Sequence, residues 1–294
     1  MKILSIQEGH GSTAALLING EIVGIVSQER FDYVKGSFRF PVDSINWLLR
    51  QNSLRPEDID YVAFSGTHNP YQLILEPIRS QRYFINYSSF RSVLKHVVRV
   101  LDYYLNGSIS SFFRTHIFKL PIEKYNETKL NYLEKLGFPR KKVKFIDHHM
   151  CHAFSPIYGF LSAAKRDKAL CITVDGEGDG LSATVNIVKD GLFERISATS
   201  CRSSLGHLYA AVTNLLNMRP TEDEYKVMGL APYVRKECGE SIYEKYFKGV
   251  ITVEDNLTLK SRVSNVRYFE YLLMNLNNVR FDLVAYGIPE LFLN

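Results

Sequence analysis

Lys2–Ser27, KILSIQEGHGSTAALLINGEIVGIVS, carries the plan on which the fold turns. Lys2–Gln7 alternates apolar and polar residues as a strand does, Glu8-Gly9-His10-Gly11 breaks into a loop, and Ser12–Ile18 alternates again. Asn19-Gly20 is a dipeptide favoured in two-residue hairpin turns, because both residues tolerate positive φ. Glu21–Ser27 then returns as a third strand. The same plan recurs from Ala169 onward. Ala169–Val174 reads as a strand, Asp175-Gly176-Glu177-Gly178-Asp179-Gly180 as a loop, Leu181–Val188 as a strand, Asp190-Gly191 as a turn and Leu192–Ala198 as a strand.

β-Meanders are common, so the recurrence is either coincidence or an internal duplication. Under duplication, two related lobes each offer a loop between their first two strands. Such loops pinch the phosphates of a nucleotide in actin-like ATPases, an α/β fold of ribonuclease H-like lobes. The expected division is a first lobe over residues 1–165, with a helical insertion around 80–140, and the start of a second over 166–294. Between the meanders, Val42–Gln51 has helical period, Ile59–Ser65 is an apolar strand, and Ser92–Leu105 and Ile122–Leu136 are helical. Beyond Ser200, a helix is expected from Leu205 to Leu216, another element from Lys226 to Ala231, and a helix over Tyr268–Tyr286 that Gly287 and Pro289 break.

Composition excludes several function classes. At 294 residues, 46% hydrophobic and 23% charged, the chain can bury a substantial core. A formal net charge of +5 suits anionic small molecules and is too weak to imply nucleic acid. Basic residues interleave with aromatics over Ser88–Lys144, but at helical spacing, which fits a solvated helix face. The N-terminus turns polar within a few residues, so no signal peptide is expected. The apolar stretch Val97–Leu105 contains Arg99 and Asp102, so no membrane span is expected either. Cys151, Cys171, Cys201 and Cys238 show no paired spacing, which points to reduced thiols and a cytoplasmic location.

Three constellations carry chemistry. In Asp147-His148-His149-Met150-Cys151-His152, the first and last histidines stand four apart, on one face of a helix, with Cβ atoms roughly 5–6 Å apart. That suits two imidazoles on one metal ion, which a carboxylate would complete; a chance cluster of packed or exposed histidines is the plainer alternative. Asp175–Gly180 offers backbone donors at Gly176 and Gly178 beside acidic groups that would repel a phosphate unless a cation stood between them. An acidic surface turn is equally open there, and the spacing of an EF-hand is missing. Glu8–Thr13 offers the backbone of Gly9 and Gly11, the Ser12 hydroxyl and the imidazole of His10, which can serve as general base toward a hydroxyl, although most histidines in such a loop do nothing catalytic.

Taken together, these residues resemble the O-carbamoyltransferases that decorate antibiotics and nodulation factors. The matching blocks are His10–Ala15, Gln28–Phe31 with Lys35 and Phe40-Pro41, His148–Ala153, Val174–Asp179, Ser203–Gly206 with Tyr209, and Lys226–Ala231. Departures occur at Gly11, where the family has Asp, and at Tyr225, where it has Gly before Lys226. Tyr33 and Gly36 also stand where Arg and His are usual.

The resemblance implies an actin-like fold with an incomplete second lobe, and a divalent ion of iron type on His148, His152 and Asp175. It implies carbamoyl adenylate, made from carbamoyl phosphate and ATP, held by Gly9, Gly11, Ser12, Gly176, Gly178 and Lys226. His10 would be the base and Lys35 would neutralise developing charge as the carbamoyl group passes to a hydroxyl of a small-molecule acceptor. Similar enzymes continue well beyond this length, so a second polypeptide carrying the remaining part is an expected partner, and this chain alone is expected to be inactive. The rivals are a non-catalytic nucleotide-binding or interaction module and a relative of the tRNA threonylcarbamoyl transferase subunit.

Overall fold

The computed structural model describes residues 1–67, 122–162, 168–189, 192–263, 268–276 and 278–293. The fold is mixed α/β, and the chain divides into two compact units, one carrying the described residues up to Ser155 and the other those from Pro156 onward. The helix expected over Ser92–Leu105, much of the insertion expected around 80–140, the Asp190-Gly191 turn and the lobe boundary at 165–166 lie outside the described residues.

In the first unit, β1 (Lys2–Gln7), β2 (Thr13–Ile18) and β3 (Glu21–Ser27) form the expected meander. Its hairpin turn is made by Asn19 and Gly20 at φ 53° and 91°. β1 runs antiparallel to β2, from Lys2 opposite Ile18 to Gln7 opposite Thr13. Its other edge pairs in parallel with β4 (Tyr61–Ser65), and β4 pairs in parallel with β5 (Val143–Ile146), so the sheet order is β3-β2-β1-β4-β5. The strand expected from Ile59 begins at Tyr61, because Ile59 instead follows the Pro56–Asp58 turn into the core, fully buried.

α1 (Val42–Gln51) places Ile45, Leu48 and Leu49 on one face, as the i, i+3, i+4 rule requires, and all three are buried. It lies so close to β3 that a Cβ on Gly24 would stand 2.7 Å from Leu48 Cδ2. α2 (Ile122–Lys135) adds Leu133 to the same core as Leu4, Ile6, Leu16 and Phe64. Each such side chain contributes about 1.5–3 kcal/mol on burial. β1, β4 and β5 are parallel, so their C-terminal ends share one edge of the sheet. The loop at Glu8 leaves from that edge, and β5 leads there through Asp147 into α3 (His148–Gly159).

The second unit opens with β6 (Lys168–Gly178), β7 (Leu181–Lys189) and β8 (Leu192–Ser200), an antiparallel sheet in that order. The six-residue loop expected at Asp175–Gly180 is corrected here. β6 runs on through Gly178, with a bulge between the pairs Val174–Ala183 and Gly178–Leu181. The turn itself is Asp179-Gly180, at φ 52° and 81°, the two-residue hairpin its chemistry favours.

α4 (Leu205–Leu215), α5 (Glu224–Leu230), the hairpin of β9 (Ile251–Val253) and β10 (Leu259–Ser261), α6 (Tyr268–Leu276) and α7 (Phe281–Leu293) follow in the same unit, with a further helical stretch over Lys236–Ile242 and Tyr243–Phe247. Leu208, Val212, Phe247, Tyr268, Leu272 and Ile288 sit in its core. The expected break at Gly287 and Pro289 is also corrected, since α7 runs through both and the interruption comes earlier, after Leu276. Packing decides this. A Cβ on Gly287 would stand 2.5 Å from the Phe247 ring, and Val284, Ala285 and Ile288 are buried on the same helix. No helix among the described residues is long and apolar enough to cross a membrane.

Candidate functional site

At the C-terminal end of β1, the chain turns through Gly9 (φ 106°), His10 and Gly11 (φ 71°), conformations that favour glycine on either side of the histidine. Ser12 then anchors the far end of the loop. It is fully buried, its N–H donates to the Ser37 carbonyl (3.0 Å), its carbonyl accepts from Gln28 N–H (2.8 Å), and its hydroxyl donates to the Arg39 carbonyl (2.5 Å). The Ser12 hydroxyl thus faces protein. His10 is exposed and meets the Phe38 ring edge-on, centroids 5.3 Å apart.

Gly36 makes room for that ring. At φ 64°, its missing Cβ would stand 2.8 Å from His10 Nε2, while its N–H donates to Glu29 Oε2 (2.9 Å). A side chain at Gly36 would thus collide with the His10 ring, and exposed Lys35 sits next to it in sequence. Gly36→Ala should cost about 1–2 kcal/mol for the left-handed backbone alone and push the imidazole off Phe38. A lower urea midpoint, together with loss of the His10–Phe38 cross-peak in NMR, is the expected result.

Beneath the loop lies a feature that sequence reading missed. Glu8, at the end of β1, forms an ion pair with Lys129 of α2, and both side chains are almost wholly buried. The Lys129 ammonium also stands 4.7 Å above the Phe64 ring. Burial pushes the Glu8 carboxyl above its ordinary range, although Lys129 pulls it down. No local signal marks this pairing, because a lysine at helical spacing reads as solvent-facing.

At the same edge of the sheet, α3 presents the histidines. Asp147 begins the helix, its carboxylate accepting Met150 N–H (2.8 Å) and its carbonyl accepting Cys151 N–H (3.0 Å). The helix continues past Pro156 to Gly159. His148 and His152 do share one face, with Nε2 atoms 2.9 Å apart and ring centroids 4.6 Å apart. Two imidazole nitrogens so close either share one N–H or point both lone pairs at one position, which is what a cation takes from a pair of neutral histidines. His149 is fully buried, its ring centroid 5.6 Å from that of His148.

In the second unit, Gly176 lies in the bulge of β6, and its N–H donates to Asp175 Oδ1 (2.7 Å). The N-terminus of α4 abuts it. A Cβ on Gly206 would stand 2.8 Å from Gly176 Cα, and the Ser204 hydroxyl both donates to the Gly176 carbonyl (2.6 Å) and accepts His207 N–H (3.0 Å). The Ser-Ser-Leu-Gly block is thus a cap plus a close approach, which holds the acidic glycine segment. His207 Nε2 lies 3.9 Å from Glu177 Oε2. Gly178 closes the bulge opposite Leu181. Lys226, on α5, pairs with Asp223 at 2.8 Å, and with Arg219 it holds the Asp223 carboxyl well below the usual carboxylate range.

Comparison with known proteins gives a consistent picture. The family model described as "Carbamoyltransferase N-terminus" matches residues 2–282. An uncharacterized protein of Methanocaldococcus jannaschii is 28% identical over 231 residues, 79% of this chain and 33% of its own length. The nodulation protein NolNO of Sinorhizobium fredii is 25% identical over 241 residues, 81% of this chain and 30% of its own. An uncharacterized protein of Synechocystis is 27% identical over 288 residues, 96% of this chain and 41% of its own. The chain thus spans about a third of the length of the curated relatives it matches. Among solved structures, component A of the Acidaminococcus fermentans (R)-2-hydroxyglutaryl-CoA dehydratase aligns with a TM-score of 0.43 at 14% identity, covering 99% of this chain and 74% of that one. A score that low carries no argument.

Proposed function

The chain belongs to the carbamoyltransferase N-terminal family, and on that premise we propose that it supplies the acceptor-facing part of an enzyme that moves a carbamoyl group onto a hydroxyl of a small molecule. The observation that carries this reading is the pair of imidazole nitrogens of His148 and His152, 2.9 Å apart at the sheet edge from which the His10 loop also leaves. In this reading Asp175 adds a carboxylate, and the donor set of two nitrogens and an oxygen suits a first-row divalent ion such as iron. When bound, that ion would act as a Lewis acid on the carbamoyl carbonyl.

The residues of the chain do the rest. His10, exposed and steadied by Phe38, accepts the proton of the acceptor hydroxyl at its imidazole. Lys35 faces the negative charge that develops on the transferring group. Gly9, Gly11, Gly176 and Gly178 keep side chains out of the way of a carbamoyl adenylate. Ser12 holds its loop from within, and Lys226, tied to Asp223, offers a positive charge beside the exposed Tyr225 ring.

The two units are read as lobes of an actin-like fold, each with its own glycine segment. In support, each opens with a meander, and the first continues into parallel strands. The remaining region of the relatives would supply the rest of the second lobe and the step that makes the adenylate from carbamoyl phosphate and ATP, in the same polypeptide or a separate one.

The test is a transfer assay in which this chain, with a polypeptide carrying that remaining region, is given carbamoyl phosphate, ATP and a panel of hydroxyl acceptors. AMP release coupled to a carbamoylated acceptor in the mass spectrum is the expected result. AMP release without any carbamoylated product would favour a nucleotide-binding module instead.

A further inference from the structure

The loop that carries His10 is fixed at two ends by different parts of the first unit. At its far end, Ser12 and Gly11 are bound by neighbours in sequence and by the Gln28–Arg39 segment: Thr13 Oγ1 donates to the Gly11 carbonyl (2.7 Å), and Ser12 makes the three bonds to Gln28, Ser37 and Arg39. At its near end stands Glu8. Its carbonyl accepts the Gln7 side-chain amide (2.9 Å), and Gln7 in turn accepts the Ser65 hydroxyl from β4. The Glu8 carboxylate meets Lys129, which reaches it from α2 across the face of Phe64. Only the two glycines and His10 separate these anchors.

A buried ion pair is a costly way to fill a core. Two charges are taken out of water, and their attraction often fails to offset the desolvation, so apolar or neutral replacements of like volume are often neutral or stabilising. Burial outweighs Lys129 in its effect on the Glu8 carboxyl, raising it, so keeping that group ionised costs the fold stability. The pair is therefore weak evidence for stability. What it does supply is direction. A carboxylate and an ammonium in a low-dielectric site attract over a defined geometry, whereas apolar side chains pack in several.

We propose that Glu8 and Lys129 are positioning residues that act as one clamp, fixing the near end of the Gly9–Gly11 loop and so the place of the His10 imidazole. This rests on the reading of His10 as a site residue, but its test does not use transfer. Backbone ¹⁵N order parameters are measured on the full chain for Gly9, His10 and Gly11, and for Leu4 and Leu16 in the strands beneath, in the wild type, Glu8→Gln, Lys129→Met and the double variant.

The double variant is the decisive one, because it removes both charges and so leaves neither buried without the other. In it the loop order parameters should fall below about 0.6, while Leu4 and Leu16 stay at about 0.85 and the urea midpoint is equal to or above that of the wild type. Where the single variants fold, each should show the same loss, without adding in the double, as expected of two groups working as a unit. Wild-type order parameters at Gly9–Gly11 in the double variant would overturn the proposal. So would loop and core loosening together, which is the mark of packing alone. A His10→Ala enzyme that kept its activity would end the role of His10 as base, while the clamp itself is judged by the order parameters alone.

Discussion

Alanine at His148 or at His152 is expected to strip the divalent ion from the purified chain. Loss of a partner one layer outside a metal site already lowers affinity about 10–100-fold, so loss of a ligand should lower it at least about 100-fold. The two Nε2 atoms stand 2.9 Å apart, and neither ring can serve the other's role from its own position on α3. His149→Ala separates ligation from packing. That ring is fully buried, so its removal should destabilise the fold by about 1–3 kcal/mol while leaving the metal in place. Metal content after anaerobic loading and dialysis, read by mass spectrometry beside a melting curve, distinguishes the three variants. Equal metal in the wild type and in the His148→Ala/His152→Ala double variant would sink the assignment.

The second large effect concerns activity. Under the proposed function, catalysis comes from preorganised charges in a site closed to water, and misplacement of reacting groups by about 1 Å can cost on the order of a hundredfold. This chain spans about a third of the length of its curated relatives, and the proposal assigns the rest of the second lobe to the remainder. The 294 residues by themselves are therefore expected to give no steady transfer from carbamoyl phosphate and ATP. Adding the remaining region should restore it, and His10→Ala in that complete system should then lower kcat about 10²–10⁴-fold, the range of a general base. KM for the acceptor should change far less, since the imidazole acts on the proton in the transition state. Turnover by the isolated chain would show that the remainder is dispensable and overturn the mechanism.

Much of this was legible in the chain itself. The meander of Lys2–Ser27, the Asn19-Gly20 turn, α1 from Val42 to Gln51 and the shared face of His148 and His152 follow from period-2 and period-3.6 patterns and from turn residues that accept positive φ. Those are local properties, and they survive folding because the core takes up each apolar face as the pattern presents it. Other features had no local signature. Asp175-Gly176-Glu177-Gly178 has the composition of a loop, yet it is a bulged strand, against whose backbone at Gly176 α4 packs because Gly206 has no Cβ. Gly287 and Pro289 have the composition of a helix end, yet α7 passes through them against Phe247. Gly36 gained its meaning only from the His10 ring beside it, and Glu8 from a lysine on a distant helix. In each case the deciding term is close approach or burial between residues far apart in sequence, and tertiary packing alone sets that distance.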